Sequence, residues 1–254
     1  MGDVFSSAGC EFLLKELPEI RKKENIDFTV VNGENSAVGN GITKQSADII
    51  FAAGADVITG GNHSLRQKEI YETLDTVPYI LRPHNLNFEY GSGYYVCDTG
   101  RYRVAVINLM GSMLTSSEKL ENPFVTADKL ITRANEDGAD FILVDFHAEA
   151  TSEKRAMGIY LDGRITALFG THTHIPTADA QILKNGTGYI TDLGMTGVQD
   201  SVLGVKSEII INRFLKNDMS RFEAASGKCV LCGCVFDADK NGCNFVKQII
   251  REED

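Results

Sequence analysis

Several short apolar segments of this chain end in polar clusters, and most of these clusters contain glycine. The apolar segments alternate with stretches of helical periodicity, which is the pattern of buried parallel strands covered by helices. Beyond residue 186 the pattern becomes mainly β, and it predicts a second, partly antiparallel sheet. The predicted fold is therefore α/β, with two packed mixed β-sheets flanked by helices.

Local signals set the bounds of individual elements. Apolar periodicity and turn residues predict, among others, helices over 8–24 and 65–75 and strands over 27–32 and 220–225. Pro18 is expected to kink or break the first of these helices. The 254 residues are 43% hydrophobic, which suffices for one large core, and no Pro/Ser-rich linker divides them. We expect a single domain over residues 1–254.

The polar clusters lie where a ligand site is expected. In open α/β sheets the ligand crevice lies outside the carboxyl ends of the strands, so clusters far apart in sequence converge in space. The clusters that follow predicted strands are Gly33-Glu34-Asn35, Gly61-Asn62-His63, His147 and Gly170-Thr171-His172-Thr173-His174. Asp3 is a fifth member if a strand precedes it.

Histidine carries much of the chemical signal, because four of the five histidines follow predicted strands. His172 and His174 are one residue apart, so an extended segment presents both imidazoles on one side. Alone, they fit ordinary loop histidines equally well, but Glu34, Asn62 and His147 at neighbouring strand ends favour a ligand site. Carboxylate, amide and imidazole donors without thiolate suit Fe, Mn or Zn. Two such ions can clamp a phosphoryl group and activate water.

The ordered set of motifs resembles the signature of the metallophosphoesterases, the calcineurin-like superfamily. Three segments narrow the resemblance to the YmdB-like bacterial subfamily, whose members hydrolyse cyclic nucleotides. They are 31–35 (VNGEN), 145–154 (DFHAEATSEK) and 192–197 (DLGMTG). The resemblance covers essentially the whole chain. It implies a metallophosphoesterase-like sandwich and activity on 2′,3′-cyclic mononucleotides.

The resemblance also implies a role for each matching residue. The implied ligands are Asp3, His174 and Asn35 for a first metal, Glu34 as a bridge between two metals, and Asn62, His147 and His172 for the second metal. His63 is implied to be the general acid that protonates the leaving oxygen, a role that imidazole can fill near neutral pH.

Two positions depart from the family pattern. The broad superfamily has a metal-binding histidine where this chain has Phe5, which cannot ligate, and the resemblance implies that Asn35 supplies the missing ligand. The family also has an apolar strand before its first aspartate, whereas only Met1 and Gly2 precede Asp3 here. We therefore expect that N-terminal strand to be missing, which would weaken the core and the placement of Asp3.

Charge and hydropathy restrict the kinds of molecule that the protein can bind. The net charge of −10 with no basic stripe argues against a long nucleic acid, but it is compatible with a small anion that is bound through metal ions. No apolar run approaches the length of a membrane span, and no signal peptide is visible, which predicts a cytoplasmic protein with reduced thiols. Residues 111–124 are interpreted as a solvated loop, with a lid or a subunit contact of a homo-oligomer as the alternative.

Other candidate residues favour structural roles. The spacing Cys229-x-x-Cys232-x-Cys234 on a predicted strand puts the first cysteine on the opposite face from the other two, so these cysteines and Cys243 are expected to be buried thiols rather than zinc ligands. Arg82 is interpreted as one half of a surface or core ion pair, with contact to a substrate phosphate as the alternative. His84 is interpreted as a structural residue or as part of a pocket rim.

The expected function is that of a two-metal phosphodiesterase that acts on small cyclic nucleotides. Fe or Mn is favoured, and Zn is also compatible with the donors. One alternative is a phosphomonoesterase or protein phosphatase that uses the same metal site. Another is a regulatory protein that binds a nucleotide without turnover. His63 argues against the regulatory alternative, because binding alone needs no proton donor.

Overall fold

The computed structural model describes residues 1–114, 120–216 and 219–254. In chain order, the helices are α1 (Ser6–Lys23), α2 (Lys44–Ala52), α3 (Ile70–Thr76), α4 (Pro123–Glu136), α5 (Thr151–Leu161) and α6 (Ser207–Lys216). The strands are β1 (Asp3–Val4), β2 (Val30–Asn32), β3 (Val57–Thr59), β4 (Tyr94–Asp98), β5 (Arg103–Met110), β6 (Phe141–His147), β7 (Ala167–Thr171), β8 (Gln181–Ile182), β9 (Gly188–Ile190), β10 (Met195–Val198), β11 (Cys229–Asp239) and β12 (Gly242–Glu252).

The strands form two layers. The first layer contains a four-stranded sheet in the order β1-β10-β11-β12, and the parallel pair β2-β3 lies beside β1. The backbone N–H of Asn32 joins the two by donating to the Met1 carbonyl. The second layer is a six-stranded sheet in the order β4-β5-β6-β7-β9-β8, in which β5, β6, β7 and β9 are parallel. The predicted mixed α/β fold, with sheets flanked by helices, is confirmed.

Three of the apolar clusters pack the two layers against each other and against their helices. The cluster between the two layers contains Val57, Val106 and Ile190. Helices α1, α2 and α3 cover the outer face of the first layer with side chains such as Leu13. Helices α4 and α5 cover the outer face of the second layer with side chains such as Leu130. Because β5, β6 and β7 are packed on both faces, they are nearly continuous apolar runs.

Several predicted bounds shift for local reasons. Pro18 lies inside α1 and does not end it, so the predicted break is wrong; buried Leu13 and Leu17 hold the helix against the sheet on the N-terminal side of the proline. The strand predicted over 27–32 begins only at Val30. One reason is that the backbone N–H of Thr29 donates to the Asp56 carboxylate at 2.7 Å instead of to a neighbouring strand.

Two further predictions differ from the structure. The helix predicted over 65–75 begins only at Ile70, because the preceding residues form successive turns. The strand predicted over 220–225 is wrong within the described chain. Ala224 forms an isolated bridge with Val205, which belongs to a loop and cannot extend a sheet.

The interpretation of 111–124 as a loop falls partly on residues 115–119, which lie outside the described residues. Of the remainder, Ser112–Leu114 form a short 3-10 helix. Asn122 caps α4, and its side chain accepts the backbone N–H of Phe124 at 2.9 Å. Among the described helices, none is both long and apolar enough to cross a bilayer.

Backbone hydrogen bonds on both sides hold the first residues of the chain. Gly2 donates its N–H to the Cys232 carbonyl at 3.0 Å, and the Met1 ammonium donates to the Val30 carbonyl at 2.6 Å. Burial lowers the pKa of the Met1 ammonium to about 6. Asp3 follows in β1, with its side chain fully buried. Its position is therefore set by the pairing of β1 with β10 and by the hydrogen bonds of Met1 with β2.

A buried ion pair ties α5 to the segment that follows β9. Lys154 Nζ donates to Asp192 Oδ2 at 2.6 Å, and the two side chains are only 0% and 1% exposed. The same carboxylate oxygen accepts the backbone N–H of Thr173 at 3.1 Å. Thr173 lies between the two histidines of the Gly170–His174 cluster. The ion pair therefore positions this histidine loop as well as the helix.

We predict that Lys154→Met lowers the free energy of unfolding by about 3–5 kcal/mol, because Asp192 is left buried without its cation. Lys44→Met is the matched control, since Lys44 pairs with Asp48 at the same 2.6 Å but both side chains are more than 60% exposed. Urea unfolding of both variants measures the difference. A loss for Lys154→Met no larger than that for Lys44→Met would contradict the prediction.

Candidate metal centre

The structure brings the predicted site residues together at the carboxyl ends of strands from both layers. In the parallel pair β2-β3, Asn32 lies opposite Thr59, and in the parallel pair β6-β7, His147 lies opposite Thr171. The segments after these strands therefore meet, as predicted. The residues linked there by hydrogen bonds or close polar contacts are Asp3, Glu34, Asn35, Asn62, His63, His147, His172 and His174.

Two buried carboxylates lie at the centre of this group. Glu34 is 1% exposed, and its Oε1 lies 3.2 Å from His147 Nε2 and 3.5 Å from His63 Nδ1. Asp3 is 0% exposed, and its Oδ2 accepts the backbone N–H of His172 at 3.1 Å. Within the described chain, Asp3 Oδ1 has no hydrogen-bond partner, and His174 Nε2 is 3.6 Å away. A buried, unpartnered carboxylate oxygen is suited to a cation.

The imidazoles and carboxylates shift one another's pKa values. Burial disfavours the charged form of His147, but the Glu34 carboxylate outweighs it and raises the His147 pKa to about 9. Burial alone would raise the pKa of Glu34, whereas the nearby His147 and His63 hold it well below its usual value. Burial, together with the His147 charge, lowers the His172 pKa to about 4. A cation at His147 Nε2 must displace a proton, so its affinity rises with pH up to about 9.

Each of the three ligand-candidate histidines has one ring nitrogen in contact with an oxygen outside the predicted ligand set. These contacts are His147 Nδ1 to Thr171 Oγ1 at 2.9 Å, His172 Nε2 to Glu149 Oε2 at 2.9 Å, and His174 Nδ1 to the Leu203 carbonyl at 3.1 Å. The other nitrogen of each ring faces the predicted ligands. Metal-binding histidines are oriented in this way by an acceptor behind the ring.

Asn35 connects two imidazoles with Glu34, and Asn62 contacts a third. Asn35 donates from Nδ2 to Glu34 Oε1 at 2.9 Å, and the same nitrogen lies 3.3 Å from His174 Nε2. Asn35 Oδ1 lies 3.0 Å from His63 Nδ1. Asn62 Oδ1 lies 3.0 Å from His147 Nε2. Both amides therefore lie within reach of the groups with which they were predicted to act.

Phe5 shows how the departure from the superfamily pattern is accommodated. Its ring packs edge-on against the His174 imidazole, with ring centroids 5.9 Å apart. The backbone of Phe5 forms a parallel bridge with Asn35. The apolar ring therefore supports one ligand candidate, and the adjacent segment brings the Asn35 amide to the site.

Backbone constraints mark the same region. His172 and His174 adopt φ angles of 101° and 63°, in the left-handed region that non-glycine residues avoid. A Cβ at Gly61 would collide with Glu34 Oε2 and His147 Nε2, so only glycine fits between the two segments. Strain of this kind is concentrated at functional sites.

These observations fit a bound metal. Ligand atoms of Glu34, His147 and His172 all lie within 4.8 Å of one another. The donors are carboxylate oxygens, amide oxygens and imidazole nitrogens, which suit divalent transition metals. Asp3 Oδ1, which accepts no hydrogen bond from the described residues, and the acceptors behind the imidazoles agree with this interpretation.

Four residues near the site were not predicted from the sequence. Asp145 and Thr171 lie beneath His147, Glu149 contacts His172, and Asp192 holds the histidine loop. Asp145 could have been found from the sequence. It is a carboxylate inside the otherwise apolar strand β6, and it lies on the same face of the strand as His147. Thr171 lies in the Gly170–His174 cluster, and Glu149 and Asp192 lie in segments that carry the family resemblance, but no pattern in the sequence indicates which group each contacts.

The remaining candidates lie elsewhere. The Arg82 guanidinium donates to backbone carbonyls across 83–91 and organises that loop, which is a different role from the predicted ion pair. His84 Nδ1 accepts the Gly93 N–H at 3.3 Å, in agreement with a structural role. The cysteines on β11 and β12 are free thiols; Cys229, Cys232 and Cys243 are buried, and Cys234 is partly buried.

A cavity of about 500 Å³ lies between the layers, beside Met1 and away from the candidate centre. It is lined mainly by apolar side chains, including Phe28, Tyr102, Phe141 and Phe236. None of the predicted metal ligands lines it. The chemistry of the site therefore does not coincide with this cavity.

Comparison with known proteins identifies the class. A crystal structure described as a novel phosphatase from Mycoplasma pneumoniae superposes with a TM-score of 0.93 at 34% identity, covering 100% of this chain and 92% of that one. A hypothetical protein from Thermus thermophilus superposes with a TM-score of 0.92 at 36% identity, covering 100% and 98%. The fold and the donor set are those of a metallophosphoesterase-like protein, and they indicate divalent metal ions.

Sequence comparison assigns the chain to one family within this class. The sequence model of the family described as YmdB-like protein matches residues 1–249, and the chain belongs to that family. A Bacillus subtilis relative named 2′,3′-cyclic-nucleotide 2′-phosphodiesterase is 44% identical over 248 residues, which cover 97% of this chain and 93% of the relative. The resemblance noted in the sequence is confirmed.

We predict that Glu34→Gln lowers the pKa of His147 in the metal-free protein by roughly 1–3 pH units, because the opposing carboxylate is lost while burial remains. Nuclear magnetic resonance titration of the histidine ring signals measures this change. His84, whose pKa is lowered by burial and by Arg82, is the internal control and should not move. An unchanged His147 pKa would show that Glu34 is not its electrostatic partner.

Proposed function

We propose that the chain is a metal-dependent phosphodiesterase that hydrolyses 2′,3′-cyclic nucleotides. The observation that carries the proposal is the convergence of two buried carboxylates with amides and imidazoles from the ends of β2, β3, β6 and β7. One carboxylate oxygen, Asp3 Oδ1, has no hydrogen-bond partner within the described chain. The name and 44% identity of the Bacillus subtilis relative support the same reaction and substrate.

Two metal ions would be held by the residues around Glu34. The proposed ligands are Asp3, Asn35 and His174 for one ion, Glu34 for both ions, and Asn62, His147 and His172 for the other. The mixed oxygen and nitrogen donors favour Fe or Mn over Zn. When bound, the ions would supply positive charge that stabilises the phosphoryl oxygens and promotes ionisation of water.

His63 is proposed to deliver the proton to the leaving ribose oxygen. Its Nδ1 contacts Asn35 Oδ1 at 3.0 Å, and its backbone N–H donates to Glu34 Oε2 at 3.0 Å. These contacts hold the ring in place and leave Nε2 as the nitrogen for proton transfer. The side chain is 28% exposed, so a substrate can reach it from solvent. The water oxygen bonds to phosphorus and releases one proton to solvent, the P–O bond to the ribose breaks, and the His63 proton neutralises the departing oxygen.

The substrate is proposed to be a small nucleotide. The net charge of −10 disfavours a long polyanion, so phosphate recognition must be local. A 2′,3′-cyclic phosphate is a strained five-membered ring, and its opening needs less help from distant binding contacts than that of an unstrained diester. A cytoplasmic location stays a prediction from the sequence.

We predict a higher kcat/KM for 2′,3′-cyclic than for 3′,5′-cyclic nucleotides, with a weak preference among bases. Ring strain raises the ground-state energy of the first isomer, and the reaction then relies less on binding energy. The measurement is steady-state hydrolysis of both isomers and of a matching phosphomonoester, with saturating Mn²⁺ and then with Fe²⁺.

The outcomes of this experiment separate the alternatives. If the monoester is the best substrate, the phosphatase suggested by the Mycoplasma pneumoniae structure replaces the proposal. Tight nucleotide binding without turnover of any substrate would instead support a regulatory protein. Faster hydrolysis of the 3′,5′ isomer would contradict the argument from ring strain.

We predict that His63→Ala lowers kcat by roughly 10²–10⁴-fold, the usual contribution of a positioned general acid. The decrease in kcat should be much smaller with an activated aryl phosphodiester as substrate, because a leaving group of low pKa needs little protonation. Elemental analysis should show unchanged metal content, and His84→Ala serves as the control histidine variant. Equal losses on both substrates would show that His63 does not act as the acid.

A further inference from the structure

A fully buried polar network lies directly beneath His147. Asp145 and Thr171 are 0% exposed, as is His147 itself. Thr171 Oγ1 donates to Asp145 Oδ1 at 2.7 Å, and His147 Nδ1 lies 2.9 Å from the same Thr171 oxygen. The three side chains therefore form a continuous chain that ends at the imidazole.

The direction of each hydrogen bond follows from the donors that surround Asp145. Its Oδ2 accepts from Asn32 Nδ2 at 3.0 Å and from the Thr59 hydroxyl. An amide nitrogen can only donate, so Asp145 acts as an acceptor there. Thr171 has a single hydroxyl proton, and that proton is directed to Asp145 Oδ1. Its oxygen accepts from Asn32 Nδ2 at 3.3 Å, and toward His147 it can also only accept, which requires the proton on Nδ1.

We propose that Asp145 and Thr171 are positioning residues that hold His147 with a protonated Nδ1, so that Nε2 is the nitrogen presented to the metal centre. His147 Nε2 lies 3.2 Å from Glu34 Oε1 and 3.0 Å from Asn62 Oδ1, among the proposed ligands. The inference rests on the proposed metal-binding role of His147. The two residues that orient this ligand from behind are Asp145 and Thr171.

Two substitutions remove the arrangement in different ways. Thr171→Val keeps the shape of the side chain but deletes the acceptor for His147 Nδ1. In Asp145→Asn, the Asn32 nitrogen can still only donate a hydrogen bond, so the new amide oxygen should take the place of Oδ2. The new NH₂ group then faces Thr171. The threonine hydroxyl then donates to His147 Nδ1, and the imidazole proton moves to Nε2, where it blocks metal binding.

Thr59 provides a matched control for Thr171. Both hydroxyls are buried and both donate to the Asp145 carboxylate, Thr171 to Oδ1 and Thr59 to Oδ2. Only Thr171 also contacts His147. Thr59→Val therefore removes one hydrogen bond from the same network without touching the imidazole, and Thr171→Ser keeps the hydroxyl.

The experiment measures Zn²⁺ affinity by titration calorimetry and the His147 Nδ1 proton by nuclear magnetic resonance of the Zn²⁺-loaded protein. Wild type, Thr59→Val and Thr171→Ser should bind Zn²⁺ with similar affinity and show an exchange-protected Nδ1 proton. Thr171→Val and Asp145→Asn should bind roughly 10–100-fold more weakly. Both should also lose the protected Nδ1 signal.

Each outcome decides a separate question. If wild type does not bind Zn²⁺ through His147 Nε2, the proposed metal site fails. If wild type binds but Thr171→Val and Thr59→Val behave alike, the positioning role is wrong while the metal site stands. If Thr171→Val and Asp145→Asn do not fold, the wild-type spectrum still decides, because the absence of a hydrogen-bonded Nδ1 proton on His147 would refute the inference.

Discussion

The burial of Asp3 and Glu34 beside three imidazoles is the interaction on which the rest of the site depends. Removing a carboxylate from water is costly unless opposite charge or hydrogen bonds replace the lost solvation. His147 supplies part of that compensation for Glu34, and its own pKa rises to about 9 as a result. Compensation is incomplete at Asp3 Oδ1, which has no hydrogen-bond partner within the described chain. This electrostatic balance favours the binding of cations.

The supporting groups place this costly arrangement on rigid elements. Asp145 and Thr171 lie on central strands of the second layer, and they fix His147 from beneath. The buried pair of Lys154 and Asp192 fixes the histidine loop from the side, through the backbone of Thr173. Because both supports are packed within the six-stranded sheet and helix α5, the stability of the fold and the geometry of the site are coupled. Groups held by such supports stay within the small tolerances that metal ligation needs.

Local signals placed seven of the eight candidate site residues after predicted strands, since a polar cluster after an apolar run is visible in one dimension. The eighth, Asp3, rested on the family resemblance. The local signals failed where a partner distant in sequence decides the conformation. Thr29 lies outside the observed strand, and its backbone N–H donates to the Asp56 carboxylate instead of to a neighbouring strand. Ala224 forms only an isolated bridge, because its neighbour Val205 belongs to a loop. Pro18 does not end its helix, which packing of Leu13 and Leu17 holds against the sheet.

The sequence by itself determined the class of fold and which residues are candidate donors, because periodicity and residue type are local properties of the chain. The tertiary structure alone decided how those donors are oriented. The acceptors behind the imidazoles are Thr171, Glu149 and the Leu203 carbonyl. Thr171 and Leu203 lie 24 and 29 residues from the histidines that they contact. A hydrogen bond depends on distance and angle in three dimensions, and no spacing in the sequence specifies either.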